Sequence, residues 1–371
     1  MFNSVFSSIY IEYRIYDNKN GKVLISTSQI FMRFFRMQKT YTSAVIGLGR
    51  IAFTLGYDKK REQPASHTMA LKANRRIKII AGCDIDEDRL EKWQKANPGA
   101  RTYSSSHQLY EENNPDIVTV AVNENAHMEK ALEAIRAKPK LVILEKPVAL
   151  NTQEAEKIRV ESEKHGVPVL VNHERRFAVD YNLAKSLMSE IGDIQTVRAE
   201  LTSGLCVYNP EAESTGAYSL IHDGTHLVDV VMFLLGEKIS NPVVTGIFRD
   251  EKNCVRQLSA HYETQKCPDV TVSISGRSRF FGFEVVITGT EGRICVGNGI
   301  FKFYRRKESR LYSRFYSLTS DKKIRKPKKT LYFANMVQNA VDYLDGICDL
   351  KSTLQTGTDA LVVLEEIKSK L

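Results

Sequence analysis

Three groups of residues carry side chains suited to proton and hydride chemistry. Glu145-Lys146-Pro147 directly follows the apolar run Leu141–Leu144. A lysine at the carboxyl end of a buried strand points into the crevice where open α/β sheets hold ligands. A positively charged ring beside it lowers its pKa, which suits a hydrogen-bond donor or proton shuttle. The same residues also describe a surface lysine before a turn-forming proline. The second group is Ile221-His222-Asp223-Gly224-Thr225-His226-Leu227-Val228-Asp229. On one helix, His222 and His226 lie one turn apart on a shared face. Asp229 is then within reach of the His226 ring, fixing its tautomer and raising its basicity. Two histidines at this spacing also suit zinc, but the metalloprotease glutamate is missing and no third ligand is signalled, so no metal is expected. Each histidine taken singly reads as a satisfied core residue; three polar residues on one face of an apolar helix do not. The third group, Arg175-Arg176, can hold an anionic or polyol substrate, or form a salt-bridged domain junction.

A glycine-rich turn lies upstream of all three. The apolar stretch Ser43–Ile46 ends in Gly47-Leu48-Gly49-Arg50-Ile51-Ala52, a G-x-G-x-x-A pattern. The first glycine permits the tight turn and the second lets backbone approach a pyrophosphate. The small Ala52 allows close helix–strand packing, and the helix N-terminus attracts the phosphates. A second apolar strand, Ile77–Cys83, ends at Asp84. A carboxylate there accepts ribose hydroxyls and repels a 2′-phosphate; with no arginine adjacent in sequence, this favours NAD over NADP. Asp84 also reads as a turn or helix-capping acid, since Asp86 and Glu87 precede a helix. Asp84 lies 35 residues after Gly49, against roughly 20 in the usual fingerprint. An insertion around Gly56–Pro64 accounts for the excess and belongs near the mouth of the site.

Strands and helices then alternate. Helices are expected at 86–97, 108–113, 125–137 and from the Asn151 cap, where Glu154 spells a capping box. Strands are expected at 116–122, 141–144 and 167–171. Such repeats make a parallel, doubly wound Rossmann sheet. Its carboxyl ends carry Gly47, Asp84, Asn123, Glu145, Lys146, Asn172 and His173. From a helix at 177–190 onward the pattern changes. Strands at 197–202, 243–248, 255–263, 270–275, 283–288 and 292–296 follow with one long helix, about 217–235, among them, and the chain ends in helices over 331–371. Consecutive strands without helices between them imply an α+β domain with a large open, mainly antiparallel sheet. Its uncovered face is a candidate subunit interface.

Composition narrows the function classes. The chain has 371 residues, 42% hydrophobic and 26% charged, an ordinary globular balance with room for two domains. No apolar run reaches membrane-spanning length. The six cysteines are scattered without a C-x-x-C, which fits a reduced, cytoplasmic protein. The net charge of +9 is local: Lys302–Lys329 holds twelve basic residues against two acids. The rest of the chain is close to neutral, so no nucleic-acid surface is expected. The run at 322–329 reads as a solvated loop. Residues 1–40 lack a signal-peptide pattern; they are a short extension, with a hairpin around Asn18–Gly21, or the chain starts at Met32 or Met37.

In combination and order, these residues resemble the glucose–fructose oxidoreductase/inositol dehydrogenase/rhizopine catabolism family over about Thr42–Leu371. The resemblance rests on Ala44–Arg50, Asp84, Asn125-Ala126-His127, Glu145-Lys146-Pro147, Arg175-Arg176-Phe177, Gly224–Asp229 and Ile287–Arg293. It implies a coenzyme-binding domain at 41–174, a substrate and oligomerisation domain at 175–371, and homodimers or homotetramers. It implies NAD(P)-dependent hydride transfer to or from a secondary alcohol of a sugar, cyclitol or nucleotide sugar. Carried onto matching positions, Lys146 and His226 are the catalytic pair, with His222 beside them. Gly47, Gly49, Arg50, Ile51, Asp84, Asn123, His127, Glu145 and Lys146 would hold NAD, and Arg175, Arg176 and Asp229 the substrate. One departure stands out: inositol dehydrogenases place Asp four residues before the catalytic His, where this chain has His222. Two other functions fit the same fold: a glycosidase or epimerase using NAD transiently, and a non-catalytic NAD- or sugar-binding regulator.

Overall fold

The first sheet of the computed structural model, which describes residues 39–371, has at its centre short apolar runs that are buried on both faces. Its strands are β1 (Tyr41–Ile46), β2 (Ile77–Cys83), β3 (Arg101–Tyr103), β4 (Ile117–Val120), β5 (Leu141–Leu144) and β6 (Val169–Val171). All pair in parallel, in the order β3-β2-β1-β4-β5-β6. This is the doubly wound order, reversing between β1 and β4, and the ligand crevice of such a sheet opens at that switch point. The short strand β3 was not expected from the sequence. The extension 1–40 and its alternative starts lie outside the described residues, apart from Lys39 and Thr40.

The helices on this sheet are α1 (His67–Ala73), α2 (Glu87–Ala96), α3 (Ser106–Glu112), α4 (His127–Arg136) and α5 (Thr152–His165). Ser66, Asp86, Ser105 and Asn151 each accept the amide three residues on, satisfying an N–H that the helix leaves orphaned. The expected capping box at Asn151 closes differently: Glu154 accepts the amide of Leu150, 3.1 Å away, rather than that of Asn151 itself.

The second sheet contains β7 (Ile194–Thr202), β8 (Val243–Arg249), β9 (Val255–Tyr262), β10 (Val270–Ser275), β11 (Gly282–Gly289), β12 (Gly292–Gly297), β13 (Ile300–Glu308) and β14 (Tyr316–Ser320). Its order is β14-β13-β12-β11-β7-β10-β9-β8. Every pairing is antiparallel except β7 with β10. Strands β9 to β11 alternate buried and half-exposed residues, so one face is covered and the other open. The covering layer includes α6 (Val179–Ser186) and α8 (Gly224–Leu235), with the short α7 (Ser219–His222) before α8; α9 (Tyr332–Leu344) packs instead into the core of the first sheet, against α1, and α10 (Leu354–Lys368) lies against α8, α5 and β6.

Two sequence expectations change here. The long helix at 217–235 is two helices, with a break at Asp223, so His222 and His226 do not share one continuous helix. All twelve residues of α8 are buried, which holds it as the central element of this half. The β13–β14 hairpin was missed because the apolar alternation of β13, which buries Phe301 and Phe303, gives way to a basic run, and β14 is exposed throughout. The run at 322–329 has no regular secondary structure, as expected. Among the described residues no helix is long and apolar enough to cross a membrane, and no group of three His, Cys, Asp or Glu could hold a metal ion.

Candidate active site

The glycine turn shows where a dinucleotide fits. Gly47 has φ +83°, and a Cβ there would lie 2.6 Å from the Ala121 carbonyl oxygen at the end of β4. Only glycine satisfies both conditions. At Gly49 an added Cβ meets only the Arg89 guanidinium, at 3.8 Å, so its outer side is open. Among the described residues the amides of Gly49, Arg50 and Ile51 meet no acceptor. Open space lined by free N–H groups is the donor set a pyrophosphate needs. The two glycines therefore separate by experiment. Gly47→Ala is expected to destabilise the protein by about 1–3 kcal/mol through backbone strain alone, read as a fall in urea midpoint. Gly49→Ala is expected to leave the midpoint in place while weakening NADH binding in a fluorescence titration. Equal losses of stability would contradict this assignment.

The expected helix after the turn is interrupted. A single turn forms, with Phe53 N–H donating to Gly49 O and Leu55 N–H to Arg50 O, followed by the 3-10 helix Thr54–Tyr57. The chain then leaves and returns: His67 N–H donates to Ile51 O and Thr68 N–H to Ala52 O. The expected insertion thus loops out of what is otherwise one helical ladder, which explains the long spacing from Gly49 to Asp84.

Asp84 is buried at the end of β2. One carboxylate oxygen accepts the Leu48 amide at 2.7 Å and the other accepts the Asp86 amide at 3.0 Å. It locks the glycine turn and keeps lone pairs for ribose hydroxyls. The capping role expected as its alternative belongs to Asp86. An arginine is adjacent in space, though not in sequence: the first turn of α2 brings Arg89 Nη1 to 3.6 Å from Asp84. The local ground for excluding a 2′-phosphate is therefore weaker than the sequence implied.

At the end of β5, Glu145 is buried and fully engaged. His67 Nε2 lies 2.5 Å from its Oε1, and Asn172 Nδ2 donates to the same oxygen at 2.6 Å. Burial alone would raise this carboxyl; the His67 hydrogen bond and charge, with Lys146 and Asn172, pull it down to about 2. His127 is buried, with Nδ1 2.5 Å from Pro147 O and Nε2 3.1 Å from Val122 O. Burial lowers its pKa, and its ring braces the loops at the ends of β4 and β5, with both nitrogens engaged by backbone carbonyls. Asn123 is exposed at the end of β4, and Arg50 is exposed beside the glycine turn.

Lys146, just beyond β5, and His226, on α8, lie near enough for their charges to interact. Lys146 Nζ donates to the His222 carbonyl at 2.7 Å. His226 sits buried at the start of α8, its Nδ1 without a partner. Burial, followed by the positive charges of Arg175 and Lys146, drives its pKa well below the ordinary value. Its ring is therefore neutral. The His173 ring packs edge-on against it, centroids 5.9 Å apart.

Asp229 does not reach His226. It lies 1% exposed and accepts Arg176 Nε at 2.9 and 3.0 Å, with His173 Nδ1 at 3.4 Å. Arg176 also donates to Lys351 O and packs near Phe233. The expectation that Arg176 and Asp229 hold substrate is corrected: they satisfy one another at the junction, because Asp229 faces the turn after β6 while His226 faces the crevice. Arg175 is buried, with its guanidinium stacked 3.6 Å from the Phe283 ring centroid and 3.3 Å from Glu174. His67, Glu124 and His173 were missed as site residues. For His67 the sequence signal was the Ser66 cap that opens α1; for His173 it was the strand end.

His173 gives a pH signature. Burial lowers its pKa to about 4, partly offset by Asp229. The unfolded chain therefore binds this proton first, at about pH 6.5. Stability is expected to fall as pH drops through that value toward 4, losing on the order of 2 kcal/mol by about pH 5. Urea unfolding of wild type and His173→Gln across this range checks it: the variant has a shallower slope. Parallel slopes would contradict the assignment.

Known proteins share this fold. Residues 42–173 match the model for an oxidoreductase family with an NAD-binding Rossmann fold. The myo-inositol 2-dehydrogenase of Thermotoga maritima is 25% identical over 273 residues, 68% of this chain and 74% of that protein. The NADP(+) scyllo-inositol 2-dehydrogenase of Bacillus subtilis is 27% identical over 161 residues, 41% of this chain and 44% of that protein. The fold matches the WlbA dehydrogenase of Bordetella pertussis, solved with NADH and UDP-GlcNAcA, at TM-score 0.67 and 16% identity, covering 90% of this chain and 98% of that one. Residues 42–173 are thus similar to the NAD-binding Rossmann domain of an oxidoreductase family, and the doubly wound coenzyme sheet with its open, mainly antiparallel second sheet is the fold of those dehydrogenases.

Proposed function

We propose that the protein is an NAD-dependent dehydrogenase acting on a secondary alcohol of a sugar, cyclitol or nucleotide sugar. The observation that carries this reading is that the Lys146 ammonium, at the carboxyl end of the glycine-turn sheet, lies close enough to the buried His226 ring to help keep it neutral, and is bonded to the carbonyl of His222 four residues before it. Residues 41–174 hold the coenzyme: the Gly49, Arg50 and Ile51 amides take its phosphates, Asp84 takes ribose hydroxyls, and Asn123 lies along the crevice edge. When bound, the nicotinamide accepts or returns the hydride. His226 takes the hydroxyl proton, and Lys146 donates to the same oxygen as negative charge develops. Glu145, fixed by His67 and Asn172, anchors the strand end from which Lys146 projects. His222 and Arg175 border the substrate side.

Residues 175–371 supply the substrate side and the open sheet face, through which the chain forms a homodimer or homotetramer in the cytoplasm. NAD is preferred because the Asp84 carboxylate faces the ribose, with Arg89 as the residue that would admit NADP. The test incubates the protein with NAD or NADP and myo-inositol, scyllo-inositol, glucose 6-phosphate or UDP-N-acetylglucosaminuronate, following reduced nicotinamide. Accumulation with NAD and at least one of these compounds supports the reading. Nucleotide binding without net reduction by any of them would replace it with a redox-neutral or binding-only role.

A further inference from the structure

One carboxylate in the crevice has no part in the reading above. Glu124 opens the 3-10 turn Glu124–Ala126, just beyond the carboxyl end of β4. Its Oε1 binds Nδ1 of His222, the last residue of α7. The ring thus ties the coenzyme sheet to the substrate half. The carbonyl of the same histidine accepts Lys146 Nζ at 2.7 Å. Carboxylate, imidazole, carbonyl and ammonium form one continuous chain. Burial raises the Glu124 carboxyl, but the His222 hydrogen bond and charge and the nearby Lys146 ammonium bring it below its ordinary value.

Two further features give this chain leverage. The helix α7 has four residues and no side-chain cap, too short to hold its own place. Its start hangs on backbone bonds from Ser219 to Cys206 and from Leu220 to Val207. Its far end, set off from α8 by the break at Asp223, is tied by the His222 ring. Space for Glu124 is also reserved: Gly216 has φ +71°, and a Cβ there would come within 3.0 Å of Glu124 Cβ.

We propose that Glu124 is a positioning residue that, by gripping the His222 ring, holds the carbonyl that aims the Lys146 ammonium into the crevice. The inference rests on the reading of Lys146 as a catalytic residue, but it is tested without turnover. Intact protein is labelled with trinitrobenzenesulfonate, and the modification of Lys146 is followed by mass spectrometry. Glu124→Ala frees the ammonium and raises its labelling rate about tenfold, the scale of one hydrogen bond to a charged group. His222→Ala gives the same rise, and the double variant rises no further than either single one. Glu124→Gln, whose amide oxygen still accepts from Nδ1, stays close to wild type. Gly216→Ala crowds Glu124 without touching His222 or Lys146 and also raises labelling, which keeps the test decisive if Glu124→Ala folds poorly. Unchanged labelling in Glu124→Ala or Gly216→Ala, or single effects that multiply in the double variant, would overturn the proposal. An inactive wild type with this labelling pattern intact would instead count against the dehydrogenase reading alone.

Discussion

Replacing His226 with alanine is expected to lower turnover by about 10² to 10⁴, the range for losing a general base, while NAD binding persists. The size follows from the environment. The ring is buried with Nδ1 unpartnered, and burial with the charges of Arg175 and Lys146 keeps it neutral. It enters the reaction as the neutral imidazole that a general base must be, with Nδ1 unpartnered. His173 is bonded to Thr225 and packed against Asp229, and His222 is held by Glu124. The glycine turn belongs to the other sheet, so coenzyme affinity is spared. Pre-steady-state turnover and NADH titration on the same preparation separate the two effects. Turnover within a factor of a few of wild type would remove His226 from its role.

Arg176→Ala is expected to destabilise the fold by about 3–5 kcal/mol, because it leaves Asp229 as an uncompensated buried charge. Arg176 is 9% exposed and Asp229 1%, so water cannot readily replace the lost partner. Exchanging both for apolar residues, as in Arg176→Met with Asp229→Leu, should recover much of the loss. Urea unfolding of the two variants measures this. If Arg176 bound substrate instead, the single variant would keep its urea midpoint and lose only substrate affinity.

The coenzyme half was legible in the sequence because its signals are local. A glycine that must adopt positive φ, an acid at a strand end and capped helices each act within a few residues. The parallel, doubly wound sheet followed from strand–helix alternation, without its edge strand β3, and the extra spacing before Asp84 matches a segment that loops out of the first helical ladder. The partnerships of the second half were not legible, since they depend on how distant elements pack. Asp229 lay at the right spacing to serve His226, yet α8 turns it toward Arg176. The partner of His222 came from Glu124, in the other half of the chain, where no spacing rule reaches. Likewise Arg89 meets Asp84 only because Asp86 caps α2 and fixes the rotation of its first turn. In the β13–β14 hairpin the apolar alternation that marks a strand stops at Phe303, and the rest is polar and open to solvent.

The central claim is that bound NAD presents its nicotinamide to Lys146 and His226 together. A crystal structure of the NAD complex measures it directly. The account predicts the phosphates on the Gly49–Ile51 amides, and the nicotinamide ring at the carboxyl end of β5 with Lys146 Nζ and the His226 ring facing its reactive carbon. A nicotinamide lodged away from either side chain, or a coenzyme bound elsewhere than the glycine turn, would contradict it.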